Sequence, residues 1–389
     1  MPRDAHFPLT RLSRHNTLDG VYLASMKIAL CLEYPIDQLG GVEVLVSELI
    51  LGLGQRNQII LVSPDDAASL ARSRVAPLVS EHIPFLRGQT SVANARALAE
   101  KIAQARPDLA HFHFGNYGFG NRFPFHSPIF YLHRRNVPCV TTSHLVVSIF
   151  DGYCGSERPF WAKLLMLPLA WYGKMQQLRH VYREIAVSQN DLKKLRAWYR
   201  PLRGRFMQIY HSRLREEPRG REGEKRQPVI LNVGHVAWRK GQLVLAEAFA
   251  QIASRFPEWT LQLAGPDQDR VIMEKICNLI REQQLEGRIK LLGKRDDAPA
   301  LMRQAAIYVQ PSFFEGMPLS LQEAMFHGCA AIASRIGAHE ELIHENKTGL
   351  LFKPGDVPQL ARALEQLISN HQQRETLARP PPLPSGSAK

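Results

Sequence analysis

Short apolar runs alternate with amphipathic stretches of helical length along most of this chain. The candidate strands form two series, at 26–32, 58–63, 108–114, 137–143, 184–188 and 206–210, and at 229–234, 260–265, 289–293, 307–311, 330–334 and 349–352. Most intervals between them are long enough for a helix. Parallel strands need such crossover connections, and sheets buried on both faces have continuous apolar strands. The alternation therefore predicts an α/β protein with two Rossmann-like, doubly wound domains.

The length of 389 residues fits two domains. The polar stretch 212–228 separates the two series, so we expect a charged linker between an N-terminal domain at 26–211 and a C-terminal domain at 229–378. Because ligands of such sheets bind at the carboxyl ends of the strands, we expect the domains to face each other across a cleft. Residues 1–25 have no hydrophobic periodicity, which indicates a disordered or misassigned leader. Residues 379–389 are proline-rich and predict a disordered tail.

Positive charge is concentrated in one part of the chain. The formal net charge is +13, and residues 160–226 hold 16 Lys and Arg against six Asp and Glu. Such an excess favours an anionic partner. The five cysteines are odd in number and form no C-x-x-C pair, which favours a reducing compartment over a disulfide framework. Because no signal peptide or spanning segment is evident, we expect a cytoplasmic protein.

Two glycine-containing segments have the composition of phosphate sites. Gly40 and Gly41 precede an apolar helix, where they allow a ligand to approach backbone N–H groups at a helix N-terminus. The alternative is a tight β–α turn. The segment 234–241 runs from a buried strand into a basic loop, where Arg239 and Lys240 can neutralise a diphosphate. The alternative there is a solvated basic loop.

The segment 311–325 is more specific. Glu315 follows a strand, and Glu323 lies eight positions later, inside the next helix. A loop glutamate at the end of a strand and a helical glutamate can bind two parts of one extended ligand. Between them, the N–H groups of Gly316, Met317 and Leu319 can face an anion at the start of the helix. The alternative is a pair of surface glutamates.

Together these segments resemble the retaining nucleotide-sugar glycosyltransferases of the GT-B architecture, family-4 group, over residues 26–369. The E-x7-E pair, the 234–241 segment and the Gly40-Gly41-x-Glu43 loop follow the order of that family. The resemblance implies that the C-terminal domain holds a nucleotide-sugar donor and the N-terminal domain an acceptor. It implies no metal and no other cofactor. The D-x-D sequence at 267–269 is interpreted as a turn and helix cap instead of a metal site.

The resemblance also implies roles for single residues. Glu315 would hydrogen-bond the donor sugar, Glu323 the ribose, and Lys240 would stabilise charge on the departing diphosphate. His144, at a strand end, would lie near the reacting carbon, which makes His144, Glu315 and Lys240 the predicted catalytic residues. The predicted donor-binding residues are Gly40, Gly41, Gly234, His235, Arg239, Gly316, Met317, Leu319 and Glu323. Glu43 and His113 are predicted on the acceptor side. His111-x-His113 has a metal-like spacing, but no third ligand is evident.

Departures from the family pattern keep other functions open. His235 stands where the family usually has arginine, His211-Ser212 replaces Asn-Gly, and the proline-rich tail replaces a terminal helix. The alternatives are a sugar-nucleotide epimerase or phosphorylase of the same fold, and an inactive sugar-nucleotide-binding homologue. Charge alone also suggests a nucleic-acid binder, but no nucleic-acid motif is present and we expect no such partner.

The expected acceptor is a glycan or a lipid-linked sugar, as in polysaccharide or lipopolysaccharide synthesis. The segment 161–172 is apolar with aromatic ends and precedes basic residues. Such a segment can rest on an anionic membrane, so a membrane-contacting surface at 158–205 and a peripheral location on the inner face of the plasma membrane are predicted. The alternative is a core helix kinked by Pro168, followed by a solvated helix.

Overall fold

The computed structural model describes residues 25–37, 40–87, 91–114, 119, 124–146, 159–211 and 226–378. The expected tail, the linker up to residue 225 and the leader up to residue 24 lie outside these ranges. The chain divides into two compact units. The first consists of Met1–Thr142 and Met166–Glu184, and the second of Ser143–Leu165 and Ile185–Lys389.

The first sheet has seven strands in the order β3-β2-β1-β4-β5-β6-β7. Its strands are β1 Lys27–Leu32, β2 Gln58–Ser63, β3 Val79–Pro84, β4 Leu109–Phe114, β5 Cys139–Ser143, β6 Arg183–Ala186 and β7 Phe206–Gln208. β1 pairs in parallel with β2 and β4. β3 was not predicted from the sequence. It is an edge strand that is only partly buried, and the polar residues Ser80, Glu81 and His82 interrupt its apolar run.

The second sheet has six strands in the order β10-β9-β8-β11-β12-β13, and all of its pairs are parallel. Its strands are β8 Gln227–Val233, β9 Thr260–Ala264, β10 Ile289–Gly293, β11 Ala305–Gln310, β12 Ala330–Ser334 and β13 Leu350–Phe352. β8 begins two residues before the expected start of the C-terminal domain. The preceding residue, Arg226, donates hydrogen bonds to the carbonyls of Met302 and Ala305.

Helices connect most of these strands, as the alternation predicted. They are α1 Gly41–Leu53, α2 Ala67–Arg72, α3 Val92–Gln104, α4 Pro128–Arg134, α5 Phe160–His180, α6 Gln189–Trp198, α7 Gln242–Ile252, α8 Arg270–Glu282, α9 Ala298–Gln304, α10 Leu319–Phe326, α11 Gly337–Glu340, α12 Val357–Ser369 and α13 His371–Leu377. The second sheet is covered on both faces. Ile307 and Val309 of β11 belong to one apolar cluster, and Tyr308 belongs to another. Two parallel α/β sheets are therefore confirmed.

α5 differs from the alternative interpretation of its sequence, which was a core helix kinked by Pro168 and followed by a solvated helix. It continues through Pro168 for 21 residues and is not a buried core helix at its start. Phe160, Trp161 and Leu165 are 65–75% exposed. Its second half is buried, and Lys174 forms an ion pair with Glu184 of β6 at 2.9 Å. Of the described helices, none is both long enough and apolar enough to cross a bilayer.

Candidate functional site

A short basic turn is fixed to the loop that follows β11. The turn is the 3₁₀ segment Trp238–Lys240 between β8 and α7. Gly241 ends it in the left-handed conformation, with φ of 70°. A Cβ on this glycine would stand 2.1 Å from the carbonyl oxygen of Pro311, so only glycine permits this approach. The amide of Phe313 donates to the carbonyl of Arg239 at 2.8 Å, which closes the contact.

This contact brings two cations onto one carboxylate. Lys240 Nζ lies 2.6 Å from Glu315 Oε1, and Arg239 Nη1 lies 3.2 Å from Glu315 Oε2. The Glu315 side chain is 9% exposed. Burial alone would raise the pKa of Glu315, but the charges of Lys240 and Arg239 outweigh burial and hold this pKa at about 2. Burial lowers the pKa of Lys240, while Glu315 favours its charged form. The three groups form a partly buried, ionised cluster.

Neutral polar side chains complete the shell of Glu315. Ser312 Oγ donates to Glu315 Oε1 at 2.8 Å, and Gln310 Nε2 donates to the same oxygen at 3.2 Å. The hydroxyls of Tyr308 and Ser320 donate to the side-chain oxygen Oε1 of Gln310 at 2.8 and 3.2 Å. Sequence reasoning did not select these residues. The sequence feature that could have identified them is a group of polar side chains at the carboxyl end of an otherwise apolar strand.

A buried histidine lies behind this shell. Ser334 ends β12, and its hydroxyl donates to the carbonyl of Ser312. His339 Nδ1 donates to the carbonyl of Ser334 at 2.7 Å. Burial lowers the pKa of His339 to about 4, although the charge of Glu315 raises it, so the imidazole is neutral at pH 7. His339 was also not selected from the sequence, because a lone histidine in a short helix has no distinguishing pattern.

The second glutamate of the E-x7-E pair lies on α10. This helix begins at Leu319, directly after Pro318, and the amide of its fourth residue, Gln322, donates to the carbonyl of Pro318 at 3.3 Å. Glu323 is half-buried. Glu315 therefore lies in the loop after β11, and Glu323 lies inside the helix that follows, as the sequence predicted.

His144 lies against the loop between the two glutamates, within the second unit. A Cβ on Gly316 would stand 1.9 Å from the carbonyl oxygen of His144, so glycine is needed for this packing. His211 Nε2 donates to the carbonyl of Met317 at 3.2 Å. The rings of His144 and His211 are 5.8 Å apart. The structure thus brings three predicted residues, His144, Gly316 and Met317, together around one backbone segment.

The end of β8 and the loop that begins at Gly234 are held by hydrogen bonds from the main chain and from the Gln242 side chain. Gly234 donates to the carbonyl of Ala264 at 2.9 Å. The carbonyl of His235 accepts from Gln242 Nε2 at 2.9 Å, and this amide also donates to Asn232 at 3.3 Å. These bonds orient the loop that leads to the basic turn.

The D-x-D sequence is a cap, as predicted. Asp269 is the N-cap of α8 and accepts from the amide of Ile272 at 3.2 Å. Its second oxygen accepts from the amide of Trp238 at 3.1 Å, and Asp267 accepts from the amide of Asp269. Within the described ranges, no three His, Cys, Asp or Glu side chains form a metal-binding group.

The glycines predicted to approach a phosphate lie in the first unit. Gly40 is the N-cap of α1, and Gly41 is its first residue. A Cβ on Gly40 would stand 2.0 Å from Glu43 Oε2. The carboxylate of Glu43 therefore occupies the space beside Gly40. Burial raises the pKa of Glu43 to about 7, and Arg87 only partly offsets this effect.

His113 is buried near the carboxyl end of β4, and its ring lies 4.1 Å from that of His111. His111 Nε2 contacts Thr142 Oγ1 at 2.7 Å. A separate cavity of about 590 Å³ opens at the carboxyl ends of β2 and β3. Its lining includes Phe85, Lys101 and Phe119, and does not include Glu43 or His113.

Two family models match this chain. Residues 39–211 match the model described as Glycosyltransferase Family 4, and residues 227–370 match that of Glycosyl transferases group 1. The chain belongs to the family-4 type of GT-B glycosyltransferases. This result confirms the resemblance to family-4 glycosyltransferases, and the two parallel α/β sheets confirm the fold class.

Individual relatives of this GT-B chain are distant. An uncharacterized glycosyltransferase of Haemophilus influenzae is 25% identical over 39% of this chain and 43% of its own length. The UDP-Gal:alpha-D-GlcNAc-diphosphoundecaprenol alpha-1,3-galactosyltransferase of Escherichia coli is 30% identical over 36% of this chain and 37% of its own length. The alignments thus span about two-fifths of these relatives. The crystal structure of Anabaena HepE with UDP and glucose superposes with a TM-score of 0.68, at 21% identity, over 91% of this chain and 93% of that chain.

Proposed function

We propose that this GT-B chain transfers a hexose from a nucleotide-diphosphate sugar to a glycan or lipid-linked acceptor, with retention of the anomeric configuration. The supporting observation is the cluster of Lys240, Arg239 and Glu315. A diphosphate can replace the carboxylate as the partner of the two cations, which releases Glu315 to bind sugar hydroxyls. Fixed cations stabilise the charge that develops on the leaving diphosphate. HepE binds UDP and UDP-glucose in its crystal structures, which supports a uridine nucleotide as the donor.

The remaining predicted residues take the roles that the family pattern implies. Glu323 binds the ribose, His144 lies near the reacting carbon, and the amides around Gly316 hydrogen-bond the donor. His235 replaces an arginine and contributes less charge to the diphosphate. The proposed reaction needs no metal, because two cationic side chains are present at the carboxylate cluster. The acceptor side is assigned to the first unit, with Glu43 and His113.

A donor screen tests this function. The protein is incubated with UDP-, GDP- and ADP-sugars, with and without membrane extract and with EDTA, and released nucleotide diphosphate is measured. We expect extract-dependent release from one donor, unaffected by EDTA, and a product whose anomeric configuration by NMR matches the donor. Lys240→Met and Glu315→Gln should lower kcat/KM by about 100- to 1000-fold. Arg255→Ala is the matched control, since it removes an exposed charge paired with Glu365 in the same unit.

The outcomes separate the alternatives. Donor binding without release by a folded protein would indicate an inactive sugar-nucleotide binder. Release of a sugar epimer, or of a sugar phosphate, would indicate the epimerase or the phosphorylase. Loss of release with EDTA would contradict the metal-independent reaction.

We also infer that α5 rests on an anionic membrane surface, as a peripheral contact on the cytoplasmic side. Its first half exposes Phe160, Trp161 and Leu165 next to the most basic part of the chain. Apolar insertion and attraction to anionic lipids act together in such helices. Co-sedimentation with vesicles should show binding to phosphatidylglycerol and little to phosphatidylcholine, and Trp161→Ser with Leu165→Ser should reduce it. If the double variant co-sedimented with the vesicles as strongly as wild type, α5 would not be the membrane-contacting surface.

A further inference from the structure

Trp238 is a half-exposed indole beside the two cations that contact Glu315. It is 49% exposed, although it belongs to the same turn as Arg239 and Lys240. One face is stacked on Phe313, with ring centroids 5.0 Å apart and an interplanar angle of 5°. Phe314 lies 6.1 Å away at 50°. These three rings form one aromatic surface, here named the Trp238 platform.

The platform is fixed through its main chain. The amide of Trp238 donates to Asp269, the N-cap of α8. The amide of Phe313 donates to the carbonyl of Arg239, and Gly355 leaves the space into which the Phe313 ring packs. Stacking on a surface that is already ordered costs little further conformational entropy. A large aromatic side chain kept exposed on a rigid turn is a feature of binding surfaces.

The platform is also continuous with the sugar-binding carboxylate. Arg239 Nη1 donates both to the carbonyl of Phe314 at 2.9 Å and to Glu315 at 3.2 Å. The aromatic surface and the carboxylate are thus joined through one guanidinium. In the proposed function, the ligand that Glu315 binds is a sugar. A pyranose has an apolar face of C–H groups, which an aromatic ring can cover while the hydroxyls at the sugar's edge remain hydrogen-bonded.

We propose that the exposed face of Trp238 stacks on a pyranose ring and that Trp238 is a specificity-determining residue of this site. The inference rests on the proposed function. The donor sugar and the acceptor sugar share this chemistry, and the experiment distinguishes them. A nucleobase is the competing planar ligand, and its binding is one of the measured outcomes.

The test compares Trp238→Ala, Trp238→Phe and the control Val271→Ala. Val271 is exposed on α8, two residues after Asp269, and has no place in the platform. Binding of UDP and of UDP-glucose is measured by calorimetry, kinetics are measured with the donor from the screen and membrane extract, and thermal melting checks the fold. Because stacking is worth about 0.5–1.5 kcal/mol, Trp238→Ala should weaken sugar binding about three- to tenfold. Trp238→Phe should recover most of this loss, and Val271→Ala should match wild type.

Each outcome has one meaning. Weaker binding of UDP-glucose with unchanged binding of UDP assigns the ring to the donor. A higher KM for the acceptor with unchanged donor binding assigns it to the acceptor. Equal weakening of UDP and UDP-glucose, or no effect of Trp238→Ala on any ligand, overturns the proposal. A wild type that binds UDP-glucose but transfers nothing contradicts the proposed function, while the binding comparison still tests Trp238.

Discussion

At the scale of single residues, Glu315 is the group on which the candidate site depends. Lys240→Met would leave its buried carboxylate with Arg239 as the remaining cation, and we expect a loss of about 3 kcal/mol in the free energy of unfolding at pH 7. The double variant with Glu315→Gln should regain most of it. The loss of unfolding free energy in Lys240→Met should become smaller as pH falls, because protonation of Glu315 removes its incompletely paired buried charge. Urea unfolding at pH 5 and pH 8 checks both points, and equal stability of wild type and Lys240→Met would contradict them.

The raised pKa of Glu43 predicts that its contribution to the stability of the fold decreases as pH rises. Its pKa is raised from 4.5 to about 7 by burial. A carboxyl group whose folded-state pKa is raised stabilises the fold at low pH and loses that contribution as pH rises through 7. Glu43→Gln should therefore match wild type near pH 4 and exceed it by up to about 3 kcal/mol at pH 8. An advantage that does not grow between these pH values would rule out a protonated Glu43.

At the scale of elements, α5 is held by one buried ion pair. Lys174 contacts Glu184 at 2.9 Å, and both side chains are almost fully buried. Thr141 donates to the second oxygen of Glu184. Lys174→Met leaves this carboxylate without its cation, and we expect a loss of about 3–5 kcal/mol in urea unfolding. Lys174→Met with Glu184→Gln should lose less. A single variant as stable as wild type would show that the pair does not fix the helix.

The sequence predicted elements where burial was continuous. Twelve strands lie close to their expected positions, because most of them contain a run of apolar residues that is buried in the sheet. β3 was missed because an edge strand has no such run. The glutamates, Lys240 and Arg239 were identified from their order along the chain. Their mutual contact, and the roles of Gln310 and His339, depend on neighbouring strands that no local pattern connects.

At the scale of the whole molecule, several buried groups titrate in opposite directions. Burial lowers the pKa of His111 and His339 to about 4 and raises those of Glu43 and Asp191 to about 7 and 6. As pH falls from 6 to 4.5, the unfolded histidines bind protons that the folded ones do not. Over the same pH range, Glu43 and Asp191 are protonated in the folded state and mostly ionised in the unfolded state. Burial also lowers the pKa of His211 and raises that of Glu247, one group in each direction. Since each unmatched proton contributes about 1.4 kcal/mol per pH unit, the opposing shifts should nearly cancel.

The free energy of unfolding should therefore be nearly constant between pH 4.5 and 6. Below pH 4 it should fall, because the unfolded state protonates Glu315 while the folded state keeps it ionised down to about pH 2. Guanidinium unfolding at half-unit steps of pH measures this profile. A steady slope across the upper range would mean that one of the two pairs of groups does not titrate as described.

The packing of Glu43 against Gly40 links the evolution of two positions. Any side chain at position 40 would occupy the place of the Glu43 carboxylate. A library randomised at both positions should therefore yield Gly with Glu, or a larger residue at 40 only where position 43 has become small. The dependence runs in one direction: position 43 can change while Gly40 stays, but a side chain at position 40 requires the Glu43 carboxylate to move or to be replaced.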